Sequence, residues 1–590
     1  MLQLIHSITK NGRIVGYVVC DTNTRNMKNL SRDTVIDLAR QGMILNVTAG
    51  NSYNLRGING FRVTDLKSIP SERLIKTRQR NETTLGLTIL VGDKLRNYIT
   101  AILKGIHRKR FIYKKLTSFL YSENNKVCLL YGLRRTGKTI MMTQAAEDLL
   151  NRYKRVAIIN CSMNTKLHEL LNKIQSLIDS GYKYIFVDEI TFVDGFIQNA
   201  NIITDTLGKQ GAKLVLTGTH SLCLKMAELS SMYDRVYRID TSYVSFKESN
   251  SLLGTKTVED YIKSGGLLIK DVFNRKDTTD MYINTSIIDN IVSSLTKNKD
   301  NKLYQNLVDL DNRGLLRKMI NQAIEYSNSQ ITLDVITRNY KNSYYGKAKS
   351  NLAAKFDIDE LVPKDNIMQH LRYYLGIVEG FDSSKNNEIY RDELIDLLRK
   401  INVLDEYTKL VGVGYRPEKT DLFMQAGLRY RQVQELIIAI KNNTEIDDNI
   451  KQFIINLVEL VEGDLLEEVV LLNELNKFKE SHSGYDVTNE SIYSRKGGDM
   501  ITQVTAGGKE LDMLVIKNGI GTAYEIKRSR EVVEKQARWL TDNQFISEIE
   551  HKLKCKIKHR VVIYNGEDTE REINGHYVKY RNATKFLLRS

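Results

Sequence analysis

Proline is almost absent from this sequence of 590 residues, which contains three, at Pro70, Pro363 and Pro417. Because proline commonly marks turns and linkers, its scarcity means that domain boundaries must be read from other patterns. No run of about 18 apolar residues occurs, so we expect no transmembrane helix. The first residues lack the charged-then-apolar order of a secretion signal, so we expect a cytoplasmic protein without a membrane partner.

Cysteine is also scarce, and the five cysteines lie far apart. No pair has the spacing of metal ligands, and several sit in apolar runs, as Cys20 and Cys128 do. We therefore expect buried free thiols in a reducing compartment.

The remaining composition is that of a globular protein with an excess of positive charge. It is 42% hydrophobic and 27% charged, enough for each of several domains to bury a core. A net charge of +16 is compatible with a nucleic-acid partner, although abundant Lys, Asn and Ile are equally typical of coding bias. DNA and a protein are both candidate partners, and the choice between monomer and homo-oligomer stays open.

A phosphate-binding loop is the strongest signal in the chain. The segment GLRRTGKT fits the pattern G-x-x-x-x-G-K-S/T, with a predicted strand before it and a predicted helix after it. In such a loop backbone N–H groups face the phosphates, the lysine reaches the β- and γ-phosphates, and the last hydroxyl binds Mg²⁺. The predicted nucleotide-binding residues are Gly132, Arg135, Thr136, Gly137, Lys138 and Thr139.

A second motif, YIFVDE, completes the predicted nucleotide site. It reads as a buried strand that ends in Asp188 and Glu189. Asp188 is expected to hold Mg²⁺ together with Thr139, and Glu189 to polarise the attacking water. The pair therefore indicates hydrolysis as well as binding.

Two further positions are candidates for contacting the γ-phosphate. The strand KLVLTGT ends in hydroxyls, of which Thr217 or Thr219 is a candidate sensor. Arg235 is a candidate for reaching the γ-phosphate, either within the same chain or from a neighbouring subunit, and a plain surface arginine is the alternative.

A separate group of charged residues lies near the C-terminus. Asp512 begins one predicted strand, and Glu525 and Lys527 lie two apart on the next, so they share a face. A metal-dependent nuclease needs carboxylates that hold Mg²⁺ and a lysine that activates the attacking water. Glu467, in the predicted helix before them, is a candidate third ligand. The alternative is the ordinary alternation of charges on an exposed strand.

Together these motifs resemble a family of bacterial and archaeal AAA-type ATPases. The resemblance rests on YGLRRTGKT, IFVDEI, LTGTHS, YIKSGGLL, GDLLEEVVLLNEL, KELDMLVI and YEIK. It implies ATP, Mg²⁺, and an ATPase followed by helical and winged-helix segments and a C-terminal PD-(D/E)XK nuclease-like domain. Three functions stay open: a switch or motor for that domain, an ATP-gated metal-dependent DNA nuclease, and a non-catalytic nucleic-acid-binding or signalling scaffold.

The predicted fold is a multidomain α/β protein in six segments. Four apolar runs after residue 126, rich in β-branched residues, predict a parallel sheet. The segments are a small α+β N-terminal module at 1–75, a connecting helical segment at 76–125, a P-loop ATPase core at 126–255, a helical lid at 256–345, a helical and winged-helix-like region at 346–462, and a restriction-endonuclease-like α/β domain at 463–590.

Overall fold

The computed structural model divides the chain into two compact units, Met1–Thr88 and Ile89–Ser590. It describes residues 2–10, 13–21, 27–31, 44–47, 62–64, 86–298, 304–344, 372, 375, 385–444, 446, 448–482 and 498–589. Within these ranges no helix is both long and apolar enough to cross a membrane. Four cysteines, Cys128, Cys161, Cys223 and Cys555, are free and buried, as expected.

The first unit contains a five-stranded sheet. Its strands are β1 (Leu2–Lys10), β2 (Arg13–Asp21), β3 (Met27–Ser31), β4 (Ile44–Val47) and β5 (Arg62–Thr64). They are ordered β3-β2-β1-β4, and β5 also pairs with β1. The segment SRDTVIDLARQGMI has apolar spacing and a cap residue, Ser31, that predict a helix, but residues 32–43 lie outside the described residues.

The second unit begins with a six-stranded sheet flanked by helices. The strands are β6 (Leu87–Leu90), β7 (Val127–Tyr131), β8 (Val156–Cys161), β9 (Tyr184–Asp188), β10 (Lys213–Thr217) and β11 (Val236–Asp240). The helices are α1 (Gly92–Ile102), α2 (Tyr113–Tyr121), α3 (Lys138–Asn151), α4 (Leu167–Asp179), α5 (Phe196–Ile202) and α6 (Ser221–Ser230).

Strands β7 to β11 pair in parallel, in the order β11-β7-β10-β9-β8. The prediction of a parallel α/β sheet here is confirmed. Their side chains are largely buried because helices cover both faces, which explains the continuous apolar runs. Since β10 lies between β7 and β9, residues after β10 lie next to those after the other two strands.

A helical region follows the sheet. Its helices are α7 (Phe246–Leu253), α8 (Val258–Ser264), α9 (Lys276–Tyr282), α10 (Asp289–Lys297), α11 (Gln305–Asn312), α12 (Leu316–Tyr344), α13 (Lys385–Lys400), α14 (Ala426–Asn442) and α15 (Asp448–Ser481). Buried side chains of α12, α14 and the first half of α15 form one apolar core.

The C-terminal part is built on an eight-stranded sheet. Its strands are β12 (Leu404–Val411), β13 (Arg416–Phe423), β14 (Met500–Ala506), β15 (Lys509–Lys517), β16 (Ile520–Ile526), β17 (Lys556–Tyr564), β18 (Thr569–Ile573) and β19 (His576–Asn582), with helices α16 (Asn543–Leu553) and α17 (Ala583–Arg589). The order is β13-β12-β14-β15-β16-β17-β19-β18.

The winged-helix-like prediction rests on NEIYRDELIDLLRKINVLDEY followed by VGVGYRPEKTDLFM, a pattern typical of a helix and then a hairpin, and these residues form α13, β12 and β13. The hairpin extends the C-terminal sheet, because β12 pairs in parallel with β14. The predicted boundary at Gly463 falls inside the continuous helix α15. The second half of α15 packs on the C-terminal sheet, against side chains such as Met513 and Ile563. The helix therefore runs from one core into the next.

Candidate nucleotide and metal sites

The predicted phosphate-binding loop connects β7 to α3, and two of its glycines are required by geometry. Gly132 has φ of 142° and Gly137 has φ of 86°. A Cβ atom at Gly132 would lie 2.4 Å from the Thr241 hydroxyl, and one at Gly137 would lie 2.7 Å from a methyl group of Leu268. Any larger residue would therefore push the loop away from its neighbours.

The ammonium group of Lys138 lies inside this loop. It donates to the carbonyl oxygens of Gly132, at 2.7 Å, and Leu133, at 2.8 Å. Burial lowers the pKa of Lys138 to about 8, although the nearby carboxylates of Glu189 and Asp188 oppose the shift. A buried cation at the N-terminus of a helix is suited to an anionic ligand such as phosphate.

The two predicted magnesium ligands meet at this end of the sheet. The Thr139 hydroxyl donates to Asp188 Oδ2 at 3.0 Å, and the backbone N–H of Glu189 donates to Oδ1 at 2.9 Å. Burial, and next the charge of Glu189, raise the pKa of Asp188 to about 6. A hydroxyl beside a buried carboxylate offers the oxygen ligands that Mg²⁺ prefers.

The two candidate threonines have different surroundings. Thr219 holds the predicted base, since its backbone N–H and hydroxyl donate to the two carboxylate oxygens of Glu189 at 2.9 and 2.6 Å. Thr217, the last residue of β10, is fully buried, and its hydroxyl has no hydrogen-bond partner among the described residues. It lies opposite Leu130, two residues before the loop.

Arg235 is not brought to this site within the same chain. It precedes β11, whose first residue lies opposite Val127 at the start of β7, whereas the loop follows the end of β7. The separation along the strand is about 16 Å. Its exposed guanidinium pairs with Asp205 at 2.9 Å. That Arg235 contacts the γ-phosphate bound by a neighbouring subunit stays a prediction.

The loop is also fixed from outside by Arg110, which the sequence analysis did not single out. Its guanidinium is buried, pairs with the Glu248 carboxylate at 2.7 Å, and donates to the carbonyls of Thr136 and Thr241 at 2.7 and 2.6 Å. Arg110 lies in the run HRKR, where nothing distinguishes it from its basic neighbours.

Two other loop residues have structural contacts. The Thr136 hydroxyl donates to the Leu133 carbonyl at 2.8 Å and lies 2.8 Å from the Thr241 hydroxyl. Arg135 has φ of 67°, and its carbonyl accepts a hydrogen bond from Leu268 at 3.0 Å. Both contacts stabilise the shape of the loop.

The fold and the loop define a P-loop nucleotide-binding domain. A family model described as an AAA domain matches residues 124–250, and this part of the chain is therefore an AAA-type ATPase domain. The prediction of such a domain is confirmed, while Mg²⁺ and the nuclease-like domain stay predictions.

Among solved structures, that of AMPPCP-bound DnaA from Aquifex aeolicus is 14% identical to this chain. The match covers 59% of this chain and 91% of DnaA, with a TM-score of 0.20, and a likeness this low adds nothing to the assignment. No curated protein matches the sequence.

The C-terminal carboxylates form a second, buried cluster. Glu467 on α15 and Glu510 and Asp512 on β15 each offer an oxygen atom within 4.8 Å of the other two. All three are less than 9% exposed. Glu510 was not among the residues predicted from the sequence, although its place two residues before Asp512 puts it on the same face of the strand.

Lys527 connects this cluster to Glu525. Its ammonium lies 2.8 Å from Asp512 Oδ2 and 2.7 Å from Glu525 Oε2. Burial alone would lower the pKa of Lys527, but these two carboxylates raise it well above its ordinary value. The structure thus brings Asp512, Glu525 and Lys527 together.

Glu525 remains incompletely paired at its other oxygen. The residue is 3% exposed, and Oε1 has no hydrogen-bond partner among the described residues. Burial, and next the charge of Asp512, raise the pKa of Glu525 well above its ordinary value. A buried carboxylate oxygen of this kind is expected to gain a cation or a proton.

Proposed function

We propose that the protein hydrolyses ATP with Mg²⁺ and uses the reaction as a switch or motor for its C-terminal domain. The observation that carries this proposal is the 3.0 Å hydrogen bond between Thr139 and Asp188, which joins the two nucleotide motifs. ATP would be held by the loop and Lys138, and Mg²⁺ by Thr139 and Asp188. Glu189 is placed to orient a water molecule for attack.

The test is ATP turnover by the full chain. Lys138→Ala and Glu189→Gln are expected to reduce turnover to background, because one removes the phosphate-binding cation and the other the base. Lys154→Ala is the matched control, since this exposed lysine lies at the opposite end of the sheet. Turnover in Lys138→Ala equal to that of the wild type would overturn the proposal.

A second function, carried by the C-terminal carboxylates, is Mg²⁺-dependent cleavage of DNA. A divalent ion at Glu467, Glu510 and Asp512 would polarise a phosphodiester. Lys527 would orient or activate the attacking water. The unpaired oxygen of Glu525 and the +16 net charge support this function.

Single- and double-stranded DNA are incubated with the protein and Mg²⁺ or Mn²⁺, with and without ATP. We expect the wild type to cleave DNA and the Asp512→Ala variant not to cleave it. Cleavage that survives this substitution, or none in any nucleotide state, rejects the nuclease. Binding that weakens steeply with salt but cleaves nothing would favour a scaffold.

A further inference from the structure

Gln503 lies at the centre of the C-terminal carboxylates, although nothing in its sequence surroundings marks it. It is on β14, is 3% exposed, and its amide nitrogen donates to Glu467 Oε1 at 2.8 Å and to Glu510 Oε1 at 3.2 Å. Its carbonyl oxygen accepts a hydrogen bond from the Tyr407 hydroxyl at 3.2 Å.

The orientation of this amide follows from its partners. Ionised carboxylates only accept hydrogen bonds, so the NH₂ end must face Glu467 and Glu510. The Tyr407 hydroxyl then donates to the other end. Each of these bonds occupies one of the about four acceptor positions that an ionised carboxylate offers, so the amide itself does not block a cation.

The amide connects carboxylates from different elements. Glu467 is on α15 and Glu510 is on β15, and like charges this close repel one another. A neutral group with two donors reduces that repulsion without a positive charge that would compete with a metal. The positive charge of Lys527 acts instead on Asp512, with which it pairs at 2.8 Å.

The cluster has a second feature that indicates a ligand. Glu525 is buried with one unpaired oxygen, and the charges of both Asp512 and Glu510 act on its carboxyl group. Glu525 therefore lies close enough to interact with Asp512 and Glu510, and the Lys527 ammonium pairs with both Asp512 and Glu525. A divalent cation would balance the remaining charge.

We propose that Gln503 is a positioning residue that aligns Glu467 and Glu510 so that, together with Asp512, they bind one divalent cation. This inference rests on the metal site of the proposed function. Residues that hydrogen-bond to metal ligands typically change metal affinity by about 10–100-fold when they are removed.

Mn²⁺ binding to the full chain tests the inference. The C-terminal site is defined as the binding that Asp512→Asn abolishes. Gln503→Leu is expected to weaken that binding at least tenfold and to move its midpoint to higher pH, since protons compete better for carboxylates that have lost their donors. Thr502→Val is the matched control, because it removes a buried hydroxyl on the same strand that bonds to the backbone carbonyls of Thr408 and Gln503, and it leaves the Gln503 side-chain amide in place.

Tyr407→Phe provides a milder variant if Gln503→Leu does not fold. It removes the hydroxyl that donates to the amide carbonyl, and a severalfold loss of Mn²⁺ affinity is expected. If the Mn²⁺ affinity and its pH midpoint were unchanged in both variants, the positioning role of Gln503 would be overturned but the metal site would not. Absence of Asp512-dependent Mn²⁺ binding in the wild type would instead overturn the metal site itself.

Discussion

Burial disfavours the ionised form of the Asp188 carboxyl group. Its pKa is raised to about 6, because burial and the neighbouring charge of Glu189 outweigh its hydrogen bonds from Thr139 and from the backbone. Keeping this group ionised at neutral pH therefore costs folding free energy, and a bound cation would offset the cost.

Asp188→Asn is expected to raise the stability of the protein without nucleotide. Between about pH 4 and pH 6 the folded state keeps a proton that the unfolded state has released, so stability falls as pH rises through this window. The penalty is complete above pH 6, where the substitution should add about 1–3 kcal/mol.

Thermal unfolding of both chains at pH 4 and pH 7 measures the effect. The gap between them should open as the pH rises. The stabilisation of the wild type by Mg²⁺ and ATP should be lost in the variant. A variant less stable than the wild type at pH 7 would contradict the argument.

Thr219 restrains Glu189, and its removal is expected to raise ATP turnover. Both carboxylate oxygens accept hydrogen bonds from Thr219, which fixes the orientation of Glu189, and we expect one of these bonds to break when Glu189 turns towards a water molecule. Thr219→Val removes the hydroxyl bond, worth about 1 kcal/mol, and should increase kcat about fivefold with KM unchanged.

The double variant Thr219→Val, Glu189→Gln is the control, since a gain that acts through Glu189 must disappear in it. A fall in kcat for the single variant would show that Thr219 aligns the base instead of restraining it.

At the scale of elements, the predicted domain boundary at Gly463 falls within the continuous helix α15. Gly463 lies in its middle, and glycine inside a helix costs about 1 kcal/mol. The helix continues because its two halves are each buried in a different apolar core, with Val461 in one and Leu465 in the other. Packing therefore overrides local propensity.

Gly463→Ala should stabilise the protein by about 0.5–1 kcal/mol, because a Cβ atom there would meet nothing within 4 Å. Gly427→Ala should instead destabilise the protein, since its Cβ would lie 2.4 Å from the Phe273 ring. Denaturant unfolding of the two variants should therefore give shifts of opposite sign. The same sign in both would contradict the packing argument.

The sequence predicted those features whose signal is local. The strands β7 to β10 were recognisable from their apolar runs, and the loop and Asp188 from short motifs. Contacts between distant residues were not recognisable from the sequence. The Thr502 hydroxyl bonds to the carbonyl of Thr408, which is 94 residues away, and Arg110 bonds to Glu248, which is 138 residues away. The sequence therefore could not predict that the hairpin joins the C-terminal sheet, or that Gln503 lies among the carboxylates.

At the scale of the second unit, residues 265–268 lie between the phosphate-binding loop and the start of α14 and contact both. The backbone N–H of Leu268 donates to the Arg135 carbonyl in the loop, and the Gly265 carbonyl accepts from Gly427 near the start of α14, both at 3.0 Å. A Cβ atom at Gly266 would lie 2.6 Å from the backbone of Gln425, so the approach is close.

From α14 the contacts reach the C-terminal carboxylates. Arg429 on α14 is 2% exposed at its side chain and pairs with Glu468 on α15 at 2.9 Å. Glu468 is adjacent in sequence to Glu467, a member of the buried carboxylate cluster. If the loop shifts on binding ATP, we expect these packed groups to transmit the shift to Glu467.

Leu268→Ala is expected to weaken this coupling, because it removes the methyl group that packs on Gly137 while leaving the backbone bond to Arg135. A non-hydrolysable ATP analogue should change the Mn²⁺ affinity of the Asp512-dependent site in the wild type. The change should be smaller in Leu268→Ala and absent in Lys138→Ala.

The exposed neighbour Ile269 supplies the matched control, and Ile269→Ala should behave as the wild type. Coupling between two binding equilibria is reciprocal, so Mn²⁺ at the C-terminal site must change the affinity for the analogue by the same factor. An equal factor in Leu268→Ala and the wild type would exclude this segment as the connection. A factor of one in the wild type would mean that the ATPase does not control metal binding by the C-terminal domain.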